Sequence, residues 1–222
     1  MNSRARQLPL DIKLRDDATF ANYVGDAPEH LHSAGNFVYV WGEQGSGRTH
    51  LLQAACHRAW QTQQPAMYLS GLQQYEPEIL QDLESRALIC LDDVQSVTGD
   101  REWELGLFHL INGVRDNGNR LIVSADTPAG NLSIILEDLR SRLLSAVSVE
   151  TSRLSDEQKL IVLQQRARNR GFDLSEDVGR FILSRTDRNM GSLIKMLGKL
   201  EVETLAHQKK LTIPFVKQTL HL

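Results

Sequence analysis

One stretch of eight residues constrains this chain more than any other. Residues 42–49 read Gly-Glu-Gln-Gly-Ser-Gly-Arg-Thr and lie between a β-forming run, FVYVW (37–41), and a helix-forming run, THLLQAACHRAW (49–60). The spacing is that of the phosphate-binding loop G-x-x-x-x-G-K-[ST], with Arg48 in the lysine position. Glycines let backbone N–H groups surround phosphate oxygens, and the following helix adds its positive end. The stretch predicts a nucleotide-binding site; the alternative is a glycine-rich turn that binds nothing.

Most of this loop is expected to touch the nucleotide. A hydroxyl at Thr49 suits Mg²⁺, and the basic residue before it suits the β- and γ-phosphates. Arg48 is a departure, because a guanidinium is a wide planar fork whereas a lysine ammonium is a compact charge. This departure favours nucleotide binding over fast turnover. The predicted contacts are Gly42, Gln44, Gly45, Ser46, Gly47, Arg48, Thr49 and His50.

Acidic residues follow two other buried runs. Asp92 and Asp93 close ALICL (87–91), where an aspartate at the carboxyl edge of a parallel strand holds Mg²⁺ through water and a second acid orients the attacking water. By themselves they would be solvated turn residues, but beside a phosphate loop they predict the metal ligands Thr49 and Asp92. After LIVSA (121–125), either Ser124 or Asp126 reaches the same edge, and Asp126 is assigned to the nucleotide.

The pattern of the chain changes near residue 153. Five β-rich runs separated by helix-length segments predict an α/β fold, a parallel sheet flanked by helices; after residue 153 only helical windows remain. Residues 1–152 have a net charge of 12 − 20 = −8, and residues 153–222 have 13 − 8 = +5. We expect a flexible tail (1–16), a nucleotide-binding core (17–152) and a small all-α lid (153–222). The helical windows are 155–170, 175–185, 189–208 and 213–220.

Composition excludes several classes of protein. A net charge of −3 over 222 residues argues against coating nucleic acid by bulk electrostatics. There is no apolar run of the ~18 residues that a membrane span needs, and we do not expect a secretory leader. Cys56 and Cys90 lie in apolar surroundings without metal or redox spacing, which predicts buried free thiols. A soluble, cytoplasmic protein is expected.

Together the motifs resemble AAA+ ATPases of the DnaA-related branch, and within it the regulatory inactivators of the initiator DnaA. The resemblance covers nearly all of the chain and is most specific in LQQRARNRGFDLSEDVGRFILSR and KLTIPFVKQTL, which resemble the lid and C-terminus. DATFANYVGD (17–26) resembles the segment that opens the nucleotide pocket, which implies that Phe20 and Val24 lie near the base. LICLDDV and LIVSADTP resemble the Walker B and sensor 1 strands.

The resemblance also implies cofactor, partner and catalytic residue. The cofactor is ADP or another nucleoside diphosphate, with or without Mg²⁺, and the partner is DnaA. DLRSRL resembles the segment with the arginine finger, which maps to Arg142; the alternative for Arg140 and Arg142 is a solvated pairing with a helix dipole. Gly191 occupies the position where this branch has its sensor 2 arginine, and Arg188, three residues earlier, is the replacement we predict.

A short motif near the N-terminus points to a second partner. Residues 7–12, QLPLDI, resemble the segment by which proteins dock on the bacterial sliding clamp, the β subunit of DNA polymerase III. Its predicted clamp contacts are Gln7, Leu8, Leu10 and Ile12. DNA contact is then expected only through the clamp, because the DNA-reading domain of the initiators is absent and the lid has no Tyr or Trp for base stacking.

Three functions fit the residues. The first is a regulator of replication initiation that, with the DNA-loaded clamp, stimulates hydrolysis of ATP on DnaA, has weak or no ATPase activity of its own, and is nucleoid-associated through the clamp. The second is an active AAA+ ATPase of helicase-loader or initiator type. The third is a clamp-binding adaptor with a vestigial nucleotide pocket. No membrane partner is expected, and self-association stays open.

Overall fold

The computed structural model of this protein describes residues 18–187, 189–207 and 210–220, without the side chains of residues 205–207. The predicted clamp motif at residues 7–12 and the predicted nucleotide contact Arg188 lie outside the described residues.

A five-stranded, all-parallel sheet forms the centre of the first domain, in the spatial order β2-β3-β4-β1-β5. The order places β1, which precedes the phosphate loop, between β4 and β5. Each strand coincides within two residues at either end with a β-rich run of the sequence, so the predicted α/β fold is confirmed. The strands are β1 (Phe37–Trp41), β2 (Ala66–Leu69), β3 (Leu88–Leu91), β4 (Arg120–Ala125) and β5 (Val147–Glu150).

Helices cover both faces of this sheet. Side chains alternate along a strand, so Val38 and Val40 of β1 enter the core under one pair of helices while Tyr39 enters the core on the opposite face. All three are fully buried. The helices of the first domain are α1 (Ala27–Ser33), α2 (Arg48–Gln61), α3 (Arg101–Asp116) and α4 (Glu137–Leu144).

The lid is a separate helical cluster with its own apolar core. Ser155 caps the first lid helix: its hydroxyl accepts from Gln158 N at 3.2 Å, and the Gln158 side chain accepts from Ser155 N at 2.9 Å. Leu163, Leu193 and Leu200 lie at the centre of the lid core. The lid helices are α5 (Asp156–Asn169), α6 (Glu176–Arg185), α7 (Met190–His207) and α8 (Ile213–Leu220). None of the described helices is long and apolar enough to span a bilayer.

Candidate nucleotide-binding site

A cavity of about 310 Å³ lies between the phosphate loop and the lid. Its walls come from four parts of the chain: the segment before α1, the phosphate loop with the start of α2, the end of β3, and the first and third lid helices. The lining residues are Asn22, Tyr23, Val24, Gln44, Gly45, Ser46, Gly47, Arg48, Thr49, His50, Asp93, Leu154, Val162, Arg166, Met190, Gly191 and Ile194.

The phosphate loop owes its shape to glycine. Gly45 and Gly47 have φ values of +83° and +99°, a region that L side chains rarely adopt. A Cβ at Gly47 would also lie 3.0 Å from Cε2 of Tyr23, so a larger residue would have to displace that ring. The next residue begins α2, and the N-terminus of this helix is thereby aimed at the cavity. Backbone N–H groups at a helix start form a favourable site for an anion.

Arg48 makes an ion pair with the second aspartate of the β3 end. Its Nη2 lies 3.0 Å from Oδ1 of Asp93, and the Arg48 side chain is 9% exposed. The other terminal nitrogen, Nη1, is buried without a hydrogen-bond partner among the described residues. A buried, unsatisfied guanidinium N–H is costly. Arg48 therefore retains one donor for an acceptor such as a phosphate oxygen.

Asp92, the first aspartate, is buried (2% exposed) and accepts three side-chain hydrogen bonds. Thr49 Oγ1 donates to its Oδ2 at 2.7 Å, Tyr68 OH donates to the same oxygen at 2.8 Å, and Ser124 Oγ donates to Oδ1. Burial and the neighbouring Asp92 carboxylate raise the pKa of Tyr68, so this phenol stays a donor. Since Thr49 gives its proton to Asp92, its oxygen lone pairs remain available to a cation.

At the end of β4, Ser124 bonds both aspartates that follow β3 whereas Asp126 makes no such contact, and neither residue lines the cavity. Ser124 is fully buried, and its hydroxyl accepts from Asp93 N at 3.0 Å while donating to Asp92. This bond supports Asp93 in a left-handed conformation, φ +58° and ψ +52°. Asp126 is exposed and does not line the cavity. Its assignment to the nucleotide has no contact in the structure to support it.

The segment before α1 contributes Val24 to the cavity but not Phe20. Phe20 packs edge-on against His32, with ring centroids 4.6 Å apart, on another side of the core. Tyr23, which the sequence did not single out, lines the cavity together with His50, and their rings meet edge to face at 5.4 Å. Burial, with a smaller effect of Asp26, raises the pKa of Tyr23 to about 12.

The lid supplies an apolar wall and one cation that the sequence did not reveal. Val162 and Arg166 are one helical turn apart on α5, and both are buried although they line the cavity. Arg166 is 5% exposed. The sequence did not indicate that Arg166 lines the cavity, because an arginine inside a basic helix is usually solvated. Gly191, at the position where this branch has its sensor 2 arginine, lines the cavity near the start of α7.

The two arginines of α4 differ in their surroundings. Arg140 Nη2 donates to Ile134 O at 2.7 Å and its Nε to Glu137 Oε1 at 3.2 Å, so this guanidinium holds the segment before the helix. Arg142 is half-buried, and its guanidinium has no hydrogen bond or ion pair among the described residues. It does not line the chain's own cavity. Of the two, Arg142 alone has a guanidinium available to another molecule.

The residues present fit a nucleoside phosphate. The cavity is lined by the phosphate loop, which brings the unpaired Nη1 of Arg48, two glycines with positive φ and the N-terminus of α2. It is also lined by apolar side chains, among them Val24 and Val162. Thr49 and Asp92 are the residues that would hold Mg²⁺ beside the phosphates, and the described residues contain no group of three His, Cys, Asp or Glu that could hold a metal. The roles of individual residues in nucleotide binding stay predictions.

A parallel sheet of this order, a phosphate loop after β1 and a helical lid over that loop define an AAA+ module. The chain belongs to the DnaA-related family: residues 16–150 match the family model of the bacterial DnaA ATPase domain, and residues 156–220 match that of the Hda lid domain. It is thus a Hda-like, DnaA-related AAA+ protein. This combination indicates a role in regulating replication initiation and interaction with DnaA.

Relatives and solved structures agree with this assignment. An uncharacterized protein of Haemophilus influenzae is 42% identical over 229 residues, covering 98% of this chain and 99% of that protein. Domain III of Thermotoga maritima DnaA has a TM-score of 0.78 at 22% identity, covering 94% of this chain and 98% of that one. AMPPCP-bound DnaA from Aquifex aeolicus has a TM-score of 0.66 at 24% identity, covering 88% and 69%. At these identities the two structures establish the fold alone.

Proposed function

We propose that this protein switches off DnaA by offering Arg142 to the ATP bound on that partner. The observation that carries the proposal is the contrast on α4: Arg140 is engaged by its own segment, whereas Arg142 is half-buried, unpaired among the described residues and away from the chain's own cavity. A guanidinium in this state is suited to act in trans. It would stabilise the charge that develops on the transferred phosphoryl group.

The consequence for replication is inhibitory. Hydrolysis would convert ATP-DnaA to ADP-DnaA and prevent a second initiation. The catalytic effect can be large, because arginine fingers are worth roughly 10³–10⁵ in rate in well-studied GTPases. Arg142 would reach the reacting phosphate, and the chemistry would take place on the nucleotide of the partner.

We infer that the chain's own cavity holds ADP or another nucleoside diphosphate as a structural ligand. Arg48, the backbone of the phosphate loop and Arg166 would hold the phosphates, with Thr49 and Asp92 at any Mg²⁺. The Arg48–Asp93 ion pair supports weak intrinsic hydrolysis, because it engages the carboxylate that would orient an attacking water. A bound nucleotide contacting both the phosphate loop and the lid would favour one arrangement of the two.

The second partner would be the DNA-loaded sliding clamp. Gln7, Leu8, Leu10 and Ile12 resemble a clamp-docking motif and would localise the protein at replicated DNA. DNA contact would then be indirect. The proposal places this protein in the cytoplasm, associated with the nucleoid through the clamp.

The test is ATP hydrolysis by purified DnaA in the presence of DNA-loaded clamp and this protein. We expect Arg142→Ala to abolish the stimulation while ADP binding is retained. We expect Leu10→Ala to reduce the stimulation because it impairs docking on the clamp. Arg115→Ala, which removes an exposed arginine from the end of α3, is the matched control and should behave as wild type. Full stimulation by Arg142→Ala would refute the mechanism.

An active ATPase of helicase-loader or initiator type is the second candidate. The observation in its favour is the Thr49–Asp92 hydrogen bond of 2.7 Å, the pairing that a Mg²⁺-dependent nucleotidase requires. Single-turnover hydrolysis by this protein alone separates the two candidates. A rate typical of AAA+ motors would favour the ATPase, and ATP that stays intact over the same period would favour the regulator.

A further inference from the structure

Glu104 is a fully buried carboxylate whose hydrogen bonds all go to backbone N–H groups of two other segments. It lies in the first turn of α3 and is 0% exposed. Its oxygens accept from Gly99 N at 2.8 Å, from Ile135 N at 3.0 Å to each oxygen, and from Leu136 N at 2.7 Å. A buried carboxylate is costly unless it is satisfied in this way. Glu104 is therefore a junction between these segments.

Two of the three donors, Ile135 N and Leu136 N, lie at the start of α4. Leu136 is the N-cap of that helix, and it has no side-chain oxygen to accept from the first turn. A helix of eight residues is too short to be stable by itself. Glu104 accepts from the main chain at the N-cap and places a carboxylate at the positive end of the helix dipole. A residue 32 positions earlier thus takes the part of a local cap.

The remaining anchors of α4 leave its start dependent on Glu104. Leu139 and Leu143 bury one face of the helix in the core, at 0% and 3% exposure. Arg140 donates to Ile134 O in the segment just before the helix, so this bond does not attach the helix to the rest of the domain. The apolar contacts resist separation from the core, but it is the directional bonds at Ile135 and Leu136 that determine the angle at which the helix begins. Arg142 is six residues further along.

The third donor is Gly99 N, which lies directly before Asp100, the N-cap of α3. One carboxylate thereby links the start of α3 to the start of α4. Among the described residues, no other side chain hydrogen-bonds the backbone of both the segment before α3 and the segment before α4.

We propose that Glu104 is a positioning residue for Arg142: it fixes the start of α4 so that the guanidinium is presented in one orientation. This inference rests on the proposed function, in which Arg142 acts on a partner's nucleotide. A displacement of about 1 Å at a reacting group can cost about a hundredfold in rate. Loss of the Glu104 bonds should therefore reduce the rate at saturation and leave docking intact.

The test uses Glu104→Gln in the full chain, with Glu102→Gln as the matched control. Gln keeps the size of the side chain, but one acceptor becomes an N–H donor facing backbone N–H groups. Glu102 is exposed on the same helix turn and undergoes the same chemical change. We expect Glu104→Gln to lower the maximal stimulated hydrolysis by DnaA about tenfold to a hundredfold. The half-saturating concentration of the protein should not change.

Backbone amide hydrogen exchange gives a readout that does not depend on activity. In Glu104→Gln, the amides of residues 135–144 should lose protection while those of β1 and α2 keep it, with ADP binding retained. If Glu104→Gln fails to fold, Glu104→Asp replaces it, since it keeps the charge on a side chain one methylene shorter. Wild-type protection and rate in the folded variant would overturn the role of Glu104. Wild-type stimulation by Arg142→Ala would instead overturn the proposed function.

Discussion

Arg48 and Asp93, 45 positions apart in the chain, form an ion pair in which Nη2 lies 3.0 Å from Oδ1. The pair joins the phosphate loop to the end of β3 and leaves Nη1 of Arg48 buried without a partner among the described residues. The basic residue that should bind phosphate is thus held by the acid that should activate water. This relationship has a direct consequence for hydrolysis.

Arg48→Lys is expected to increase the chain's own ATP hydrolysis. An ammonium is compact and cannot reach Asp93 as the planar fork does, so the carboxylate is released to orient water. We expect about a tenfold rise in the single-turnover rate, the size of one charge-assisted hydrogen bond. Arg115→Lys, at an exposed pair with Asp116, is the control. An unchanged rate would show that the ion pair does not limit hydrolysis.

Arg166→Gln is expected to weaken ADP binding about tenfold or more. The side chain is buried against the cavity, where loss of a charged donor to phosphate costs roughly 1.5–3 kcal/mol. Isothermal titration calorimetry with ADP measures the effect. Arg168→Gln makes the same change at an exposed position of α5 and should bind as wild type. Equal affinity in both variants would remove Arg166 from the site.

Gly42→Ala is expected to destabilise the first domain by about 1–3 kcal/mol, the usual cost of overpacking. A Cβ at this position would lie 2.2 Å from the carbonyl oxygen of Thr151, a backbone atom that cannot yield easily. Urea unfolding measures the change in the free energy of unfolding. Gly35→Ala is the control, because a Cβ there meets nothing within 4 Å. A variant as stable as the control would mean that the loop shifts at little cost.

Acidification is expected to destabilise the protein through His32. Its Nε2 accepts from Arg58, and burial followed by the charges of Arg58 and Arg120 lowers its pKa below the ordinary 6.5. Between that lowered pKa and 6.5 the unfolded chain binds more protons, so stability is complete above pH 6.5 and is lost as the pH falls. Urea midpoints at pH 7.5 and 5.5 should differ less in His32→Gln than in wild type. His30→Gln, on the same helix, should keep the wild-type difference.

Local features of the chain were predictable from its sequence. Short β-rich apolar runs identified all five strands, and the helical window that begins at residue 155 marked the start of the lid. The phosphate loop could be recognised because its chemistry lies within eight consecutive residues. These features are determined by residues that are close together in the sequence, so they can be predicted without knowledge of the fold.

Features that depend on side-chain direction could not be predicted in the same way. The choice between Ser124 and Asp126 as the polar residue beside the aspartates depends on where β4 ends. The strand stops at Ala125, so Ser124 remains in the strand and bonds Asp92 and Asp93, whereas Asp126 is exposed. Tyr23 and Arg166 join the cavity only because distant segments meet there. Glu104 reads as an ordinary first-turn acid of an amphipathic helix, and its burial follows from tertiary packing alone.

The start of α4 is capped by Glu104, a residue of α3, and this has a consequence for incomplete chains. Because Leu136 has no side-chain acceptor and eight residues are too few for a stable isolated helix, the helix with Arg142 depends on the carboxylate that α3 supplies through Glu104. A nascent or damaged chain would still contain the arginine but could not present it. Under the proposed function, in which Arg142 acts on DnaA, such a chain would be inactive because the start of its arginine-bearing helix would lack the Glu104 carboxylate.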